Sequence, residues 1–139
     1  ECSPFAREEV VVGENSYRYR VRASGFWQVH REAPATLIDL VTRAAEVEPG
    51  DHILELYAGA GLLTVPLARA TGPTGRVESL EGARTAVEDA RANLRGYPWA
   101  RARTAAISVR DISDADILLA DPPRSGLGIA GSTTSGVNT

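Results

Sequence analysis

The chain has 139 residues, which fits one domain able to bury a core. Its hydrophobic fraction of 43%, charged fraction of 24% and net charge of -3 are those of an ordinary soluble globular protein and advertise no polyanion partner. A lone cysteine, Cys2, excludes an internal disulfide and argues against a thiolate metal site, and two histidines as far apart as His30 and His52 argue against zinc.

In chain order, "EEVVVGENSYRYRVRASGFWQV" sets two β-rich runs around the turn-forming "GENS" and predicts an antiparallel hairpin inside an N-terminal segment, residues 1–30. "APATLIDLVTRAAEVEPGD" predicts a helix with Pro34 in its first turn, with Leu37, Ile38, Val41, Ala44 and Ala45 on one face, stopped by Pro49 and Gly50. "HILELYA" reads as a buried strand and "AGAGLL" as a glycine turn. A short helix then runs to about Ala70, with Pro66 tolerable near its start. After "GPTG" come a second strand, "RVESLE", and a helix over 83–94 with Ala83, Ala86, Val87, Ala90 and Leu94 facing inward. "ARARTAAI" is a weaker third strand and "ADILLA" a short apolar fourth. Strands with little alternation, separated by helices, predict an α/β fold with a parallel sheet covered by helices over residues 31–128. The polar stretch 129–139 is expected to be a disordered tail. No apolar run approaches the roughly 20 residues that span a bilayer, and nothing reads as a signal peptide, so a cytoplasmic protein is expected. With no methionine anywhere, the chain is expected to be a piece of a longer one, or one whose initiator was removed.

Chemistry concentrates at the carboxyl ends of the strands. Gly59 and Gly61 in "LELYAGAGLLT" let a backbone approach a ligand, and the helix that follows offers unpaired N–H groups to it. Thr64 stands where a dinucleotide fingerprint wants a glycine or alanine. Glu55, upstream of the turn, suits a cofactor with a cationic amino-acid end better than one with a pyrophosphate. Glu81 closes the second strand about twenty residues after Gly61, where a carboxylate accepts both hydroxyls of a ribose. Asp121 follows the fourth strand, and two prolines after it stiffen the loop "DPPR", so the acid is placed to hold a polar group of substrate or cofactor. Alternating Arg18, Arg20 and Arg22, and Arg101 and Arg103, read either as solvated strand faces or as a guanidinium stripe near phosphates.

Taken together, "GFWQVH", "LELYAGAGLLTVPLA", "SLEGARTAVEDARANL" and "LLADPPRSGLG" resemble, in order and spacing over roughly residues 10–128, the RNA uracil-C5 methyltransferases of high-GC bacteria. The resemblance implies a Rossmann-like class I methyltransferase core, here the partial strand order 3-2-1-4, preceded by a β-hairpin. It implies S-adenosyl-L-methionine as cofactor and 5-methyluridine in rRNA or tRNA as product. By that resemblance the cofactor contacts are Gln28, Tyr57, Gly59, Gly61, Leu62 (often asparagine in the family), Glu81 and Asp121. The polar residue near the adenine falls at Ala106, which lacks a side-chain hydrogen bond to give. The family's nucleophilic cysteine, in an S-C-N-P-type loop, and its glutamate base lie beyond "DPPR". Neither is in this sequence, and Cys2 lies at the wrong end to replace the first. The chain alone is therefore expected to be inactive.

Two other classes stay open on the residues. One is a complete small methyltransferase with N-methyl chemistry, although Arg124 stands where such loops carry a stacking aromatic. The other is a non-catalytic module for RNA or protein. In the 3-2-1-4 arrangement the "ADILLA" strand lies at an edge, so dimerisation through it, strand exchange or cover by the tail is expected.

Overall fold

The computed structural model describes residues 5–22, 33–104, 115–120 and 128–130. It opens with a hairpin of β1 (Phe5–Val12) and β2 (Asn15–Arg22), antiparallel, with Val12 opposite Asn15 and Gly13 at φ 60 in the two-residue turn. Along β2 the side chains alternate: Tyr17, Tyr19 and Val21 are buried, while Arg18, Arg20 and Arg22 point the other way. Helix α1 (Ala33–Ala45) buries Ile38 and Val41 completely. It ends before Pro49 because Glu46 takes a left-handed φ of 49.

The sheet and its remaining helices follow in the expected sequence. They are β3 (His52–Leu56), α2 (Thr64–Thr71), β4 (Arg76–Glu81), α3 (Arg84–Asn93), β5 (Ala100–Thr104), β6 (Ile117–Ala120) and β7 (Gly128–Ala130). Across the sheet the order is β5-β4-β3-β6-β7, so the first four strands lie as third, second, first and fourth, all parallel. This is the expected partial order 3-2-1-4.

The correction concerns the start of the tail. Residues 129 and 130, read as part of a disordered segment, belong to β7, which pairs antiparallel with β6 and sets Leu118 opposite Ala130 and Ala120 opposite Gly128. An apolar edge strand carries a row of unpaired N–H and C=O groups, and here the chain's own return satisfies them. Of the three expected fates of that edge, cover by the tail is the one observed.

One face of the sheet carries the main core. Ile53, Val77, Ala100, Ala102, Ile117 and Leu119 pack with Ile38 and Val41 of α1, Leu67 of α2, and Val87 and Ala90 of α3. The hairpin joins this core through Val10, Tyr17, Tyr19 and Val21. The opposite face holds a smaller cluster of Leu54, Leu56, Leu80, Ala115 and Leu118. Such a layered arrangement leaves the carboxyl ends of β3 and β4 as the place where loops meet.

Candidate functional site

The site is built where β3 runs into α2. Tyr57 leaves the strand at φ 61, a left-handed conformation unusual for a residue with a side chain. The N–H groups of Tyr57 and Ala58 both donate to the Leu80 carbonyl, at 2.8 and 3.3 Å, which fixes the exit of the chain against β4. Gly59 and Gly61 follow at φ 59 and 96, and the Gly61 N–H closes the turn on the Ala58 carbonyl at 3.3 Å. The two glycines serve different needs. A Cβ at Gly59 would meet nothing within 4 Å, so this backbone faces open space; one at Gly61 would lie 3.4 Å from Cα and Cβ of Ala90, so here the loop packs directly on α3. Helix α2 begins without a side-chain cap, since Leu63 occupies the N-cap position.

Glu81 is tied into this loop. Its Oε1 accepts the Gly59 N–H at 3.0 Å and its Oε2 accepts the Ala83 N–H at 2.8 Å. Both oxygens are thereby oriented, and each keeps acceptor capacity for a further donor. Gly82, beside it, also faces open space. Tyr57 stands at the rim, 42% exposed. Leu62, by contrast, is buried in the main core. Gln28 and Asp121 lie outside the described residues, as does Ala106.

Glu55 departs from its sequence reading. It is 2% exposed and lies beneath the loop, where the Ser79 hydroxyl donates to Oε1 at 2.8 Å and the Thr64 hydroxyl donates to the same oxygen. The two hydroxyl oxygens lie 3.1 Å apart, converging on that one acceptor. A carboxylate taken out of water needs such donors, and register supplies them: Ser79 is the β4 partner of Glu55, and Thr64 opens α2. Glu55 therefore braces strand, helix and neighbouring strand rather than meeting a cation in the cleft.

Two residues that the sequence reading passed over hold the loop from behind. The Tyr19 hydroxyl donates to the Leu62 carbonyl at 2.7 Å, and burial pushes its phenol well above the ordinary range. The Asn93 amide donates to the Ala60 carbonyl at 3.0 Å and the Arg20 carbonyl at 3.1 Å, and accepts the Arg20 N–H at 2.7 Å. The arginines of β2 divide between structural and exposed roles. Arg22 pairs with Asp89 at 3.0 Å and Glu88 at 3.1 Å, and the Arg20 guanidinium lies 4.1 Å from the centre of the Phe5 ring. Arg18 stays exposed beside Glu9, and Arg101 and Arg103 are exposed on β5, the outer edge of the sheet.

Comparison with known proteins follows the same residues. Residues 3–116 match the family described as tRNA (Uracil-5-)-methyltransferase. An uncharacterised RNA methyltransferase of Bifidobacterium longum is 39% identical over 136 residues, covering 89% of this chain and 31% of that protein. The 23S rRNA (uracil(1939)-C(5))-methyltransferase RlmD of Acinetobacter baylyi is 31% identical over 109 residues, covering 73% of this chain and 24% of that protein. The chain thus spans about a third or less of the curated relatives it matches. Among solved structures, the Thermus thermophilus 16S rRNA N2 G1207 methyltransferase RsmC, in complex with AdoMet and guanosine, superposes with a TM-score of 0.67 at 21% identity, over 89% of this chain and 34% of that one. TrmN from the same organism gives 0.60 at 23%, over 87% and 40%. These likenesses identify the fold as that of the class I methyltransferases.

Proposed function

The chain belongs to the tRNA (uracil-5-)-methyltransferase family, and on that premise we propose that it is the cofactor-binding core of an RNA uracil-C5 methyltransferase that makes 5-methyluridine in rRNA or tRNA. The observation that carries the reading is Glu81, held by the Gly59 and Ala83 amides at the carboxyl end of β4. S-adenosyl-L-methionine fits these groups. A ribose brings two neighbouring hydroxyl donors, and Glu81 presents two oriented acceptor oxygens beside backbone with open space at Gly59 and Gly82.

Bound there, the cofactor supplies a methyl group on a positively charged sulfur. The rest is done by the chain. Glu81 accepts the ribose hydroxyls, Gly59 lets the backbone come close, and Tyr57 covers the rim. In this reading Gln28 and Asp121 are further cofactor contacts. The RNA partner is that of the whole protein. The one cysteine of this sequence, Cys2, lies outside the described residues, and in this reading it is not the thiolate whose addition to uracil makes C5 nucleophilic.

Calorimetric titration of the chain with S-adenosyl-L-methionine and S-adenosyl-L-homocysteine tests the reading. Saturable binding of one ligand per chain is expected. No heat at millimolar ligand refutes it. Tritiated methyl transfer to unmodified rRNA and tRNA completes the test: the full-length protein is expected to label uracil C5, while the 139-residue chain is not.

A further inference from the structure

We propose that Tyr19 and Asn93 are positioning residues through which the N-terminal hairpin sets the shape of the glycine loop, and with it the affinity for cofactor. The inference rests on the reading of that loop as the cofactor site. Three turns of geometry lead to it.

First, the contacts are specific to the loop. Tyr19, 2% exposed, and Asn93 reach the carbonyls of Leu62 and Ala60, the residues on either side of Gly61. Second, each bond constrains a peptide plane. In a trans peptide the C=O and the following N–H point in opposite directions. A carbonyl drawn to Tyr19 of the hairpin or to Asn93 of α3 therefore turns the next amide away from that partner: Leu63's in the first case, and in the second Gly61's, which bonds Ala58. Third, Asn93 cannot serve the loop without the hairpin. Its side chain pairs with both the N–H and the C=O of Arg20, so β2 holds the amide in the orientation from which its second donor hydrogen reaches Ala60.

The hairpin also binds α3 through Arg22 with Asp89 and Glu88, side chains that make no hydrogen bond to the Ala60 or Leu62 carbonyl. That contact provides the control. Tyr19→Phe, Asn93→Ala and Arg22→Gln each remove a contact between the hairpin and the rest of the fold, and each is expected to lower the thermal midpoint. Only the first two touch the loop. Tyr19→Phe and Asn93→Ala are expected to weaken S-adenosyl-L-homocysteine binding by about tenfold each, as for a lost buried hydrogen bond. Arg22→Gln should leave binding within about twofold, less than a weak hydrogen bond is worth.

Amide hydrogen exchange gives a readout independent of ligand. Exchange at Gly59–Leu63 should quicken in Tyr19→Phe and Asn93→Ala and stay at the parent rate in Arg22→Gln. Affinity losses that follow the thermal midpoint equally in all three variants would overturn the proposal. Unchanged affinity or unchanged loop exchange in the two loop variants would do so as well. Failure of the parent chain to bind either ligand refutes the cofactor reading, while the exchange comparison still decides whether the hairpin orders the loop.

Discussion

Replacing Glu81 by Gln keeps the size of the side chain and removes one acceptor and the charge. In the parent the two oxygens accept Gly59 and Ala83 amides at 3.0 and 2.8 Å. In the variant one of those amides faces an NH2 group, two donors with nothing to accept, at a cost of about 1–3 kcal/mol when buried and less at this half-exposed position. On binding, one ribose hydroxyl loses its acceptor, and the other exchanges a charged acceptor for a neutral one. A hydrogen bond to a charged group is worth about 1.5–3 kcal/mol against about 0.5–1.5 for a neutral one, so the sum is about 2–4 kcal/mol. Affinity for S-adenosyl-L-homocysteine should fall about 30-fold to 1000-fold. Calorimetry with a second ligand, the same molecule lacking both ribose hydroxyls, isolates the cause. The penalty should shrink to a few-fold, because the remaining loss comes only from the disturbed loop. A variant that binds the natural ligand within threefold of the parent refutes the assignment. An equal penalty for both ligands refutes the ribose contact and leaves Glu81 as a loop anchor only.

Other consequences are open to direct measurement. Thr64→Val or Ser79→Ala takes a donor from buried Glu55 and should cost about 1–3 kcal/mol in urea unfolding; a loss under about 0.5 kcal/mol, the usual surface effect, would contradict the brace. Burial, and then the neighbouring Tyr17, raise the Tyr19 phenol, so the folded chain keeps a proton that the unfolded chain sheds near pH 10. That contribution is complete below about pH 10 and erodes as pH climbs above it; the fall in stability between pH 8 and 11 should be shallower in Tyr19→Phe, and an identical slope would count against it. Gly61→Ala places a Cβ 3.4 Å from the Ala90 Cα at a φ of 96. About 1–3 kcal/mol of strain follows, and both the thermal midpoint and cofactor affinity should drop; a neutral outcome would mean that the loop can move off α3.

Periodicity made the elements legible: the apolar runs of β3 and β6, the glycine turn and the facing residues of α1 and α3 predict a parallel sheet covered by helices. The order of its first four strands came from the resemblance to the methyltransferase family, and the structure has that order. The misses have separate causes. β7 is only three residues, "GIA", and exists because β6 offers it an edge; a segment that short carries no periodic signal of its own. Glu55 was misplaced because neighbours in a strand say nothing of the register that brings Ser79 beside it. The resemblance makes Leu62 a cofactor contact, and what it does not show is that the side chain packs in the main core. Asn93 looks like an ordinary polar residue near a helix end. Its one visible sign is a polar residue next to the buried Leu94 where α3 turns back to the sheet. The two alternating arginine stretches are alike in sequence, and only the third dimension separates Arg22, paired with acids of α3, from Arg101 and Arg103 on an outer strand.

The two-residue turn of the hairpin makes register a single point of control. With Val12 opposite Asn15, every second residue of β2 faces the core, which seats Tyr19 under Leu62 and leaves the intervening arginines outward. One extra residue between Gly13 and Glu14 that slipped β2 by one position would turn that face over. Arg18, Arg20 and Arg22 would then meet the apolar layer and Tyr17, Tyr19 and Val21 would meet water. No partial accommodation of such a slip is open to a strand whose polar and apolar residues alternate so strictly, so any change of length here has to be taken up within the loop, with Val12 still opposite Asn15.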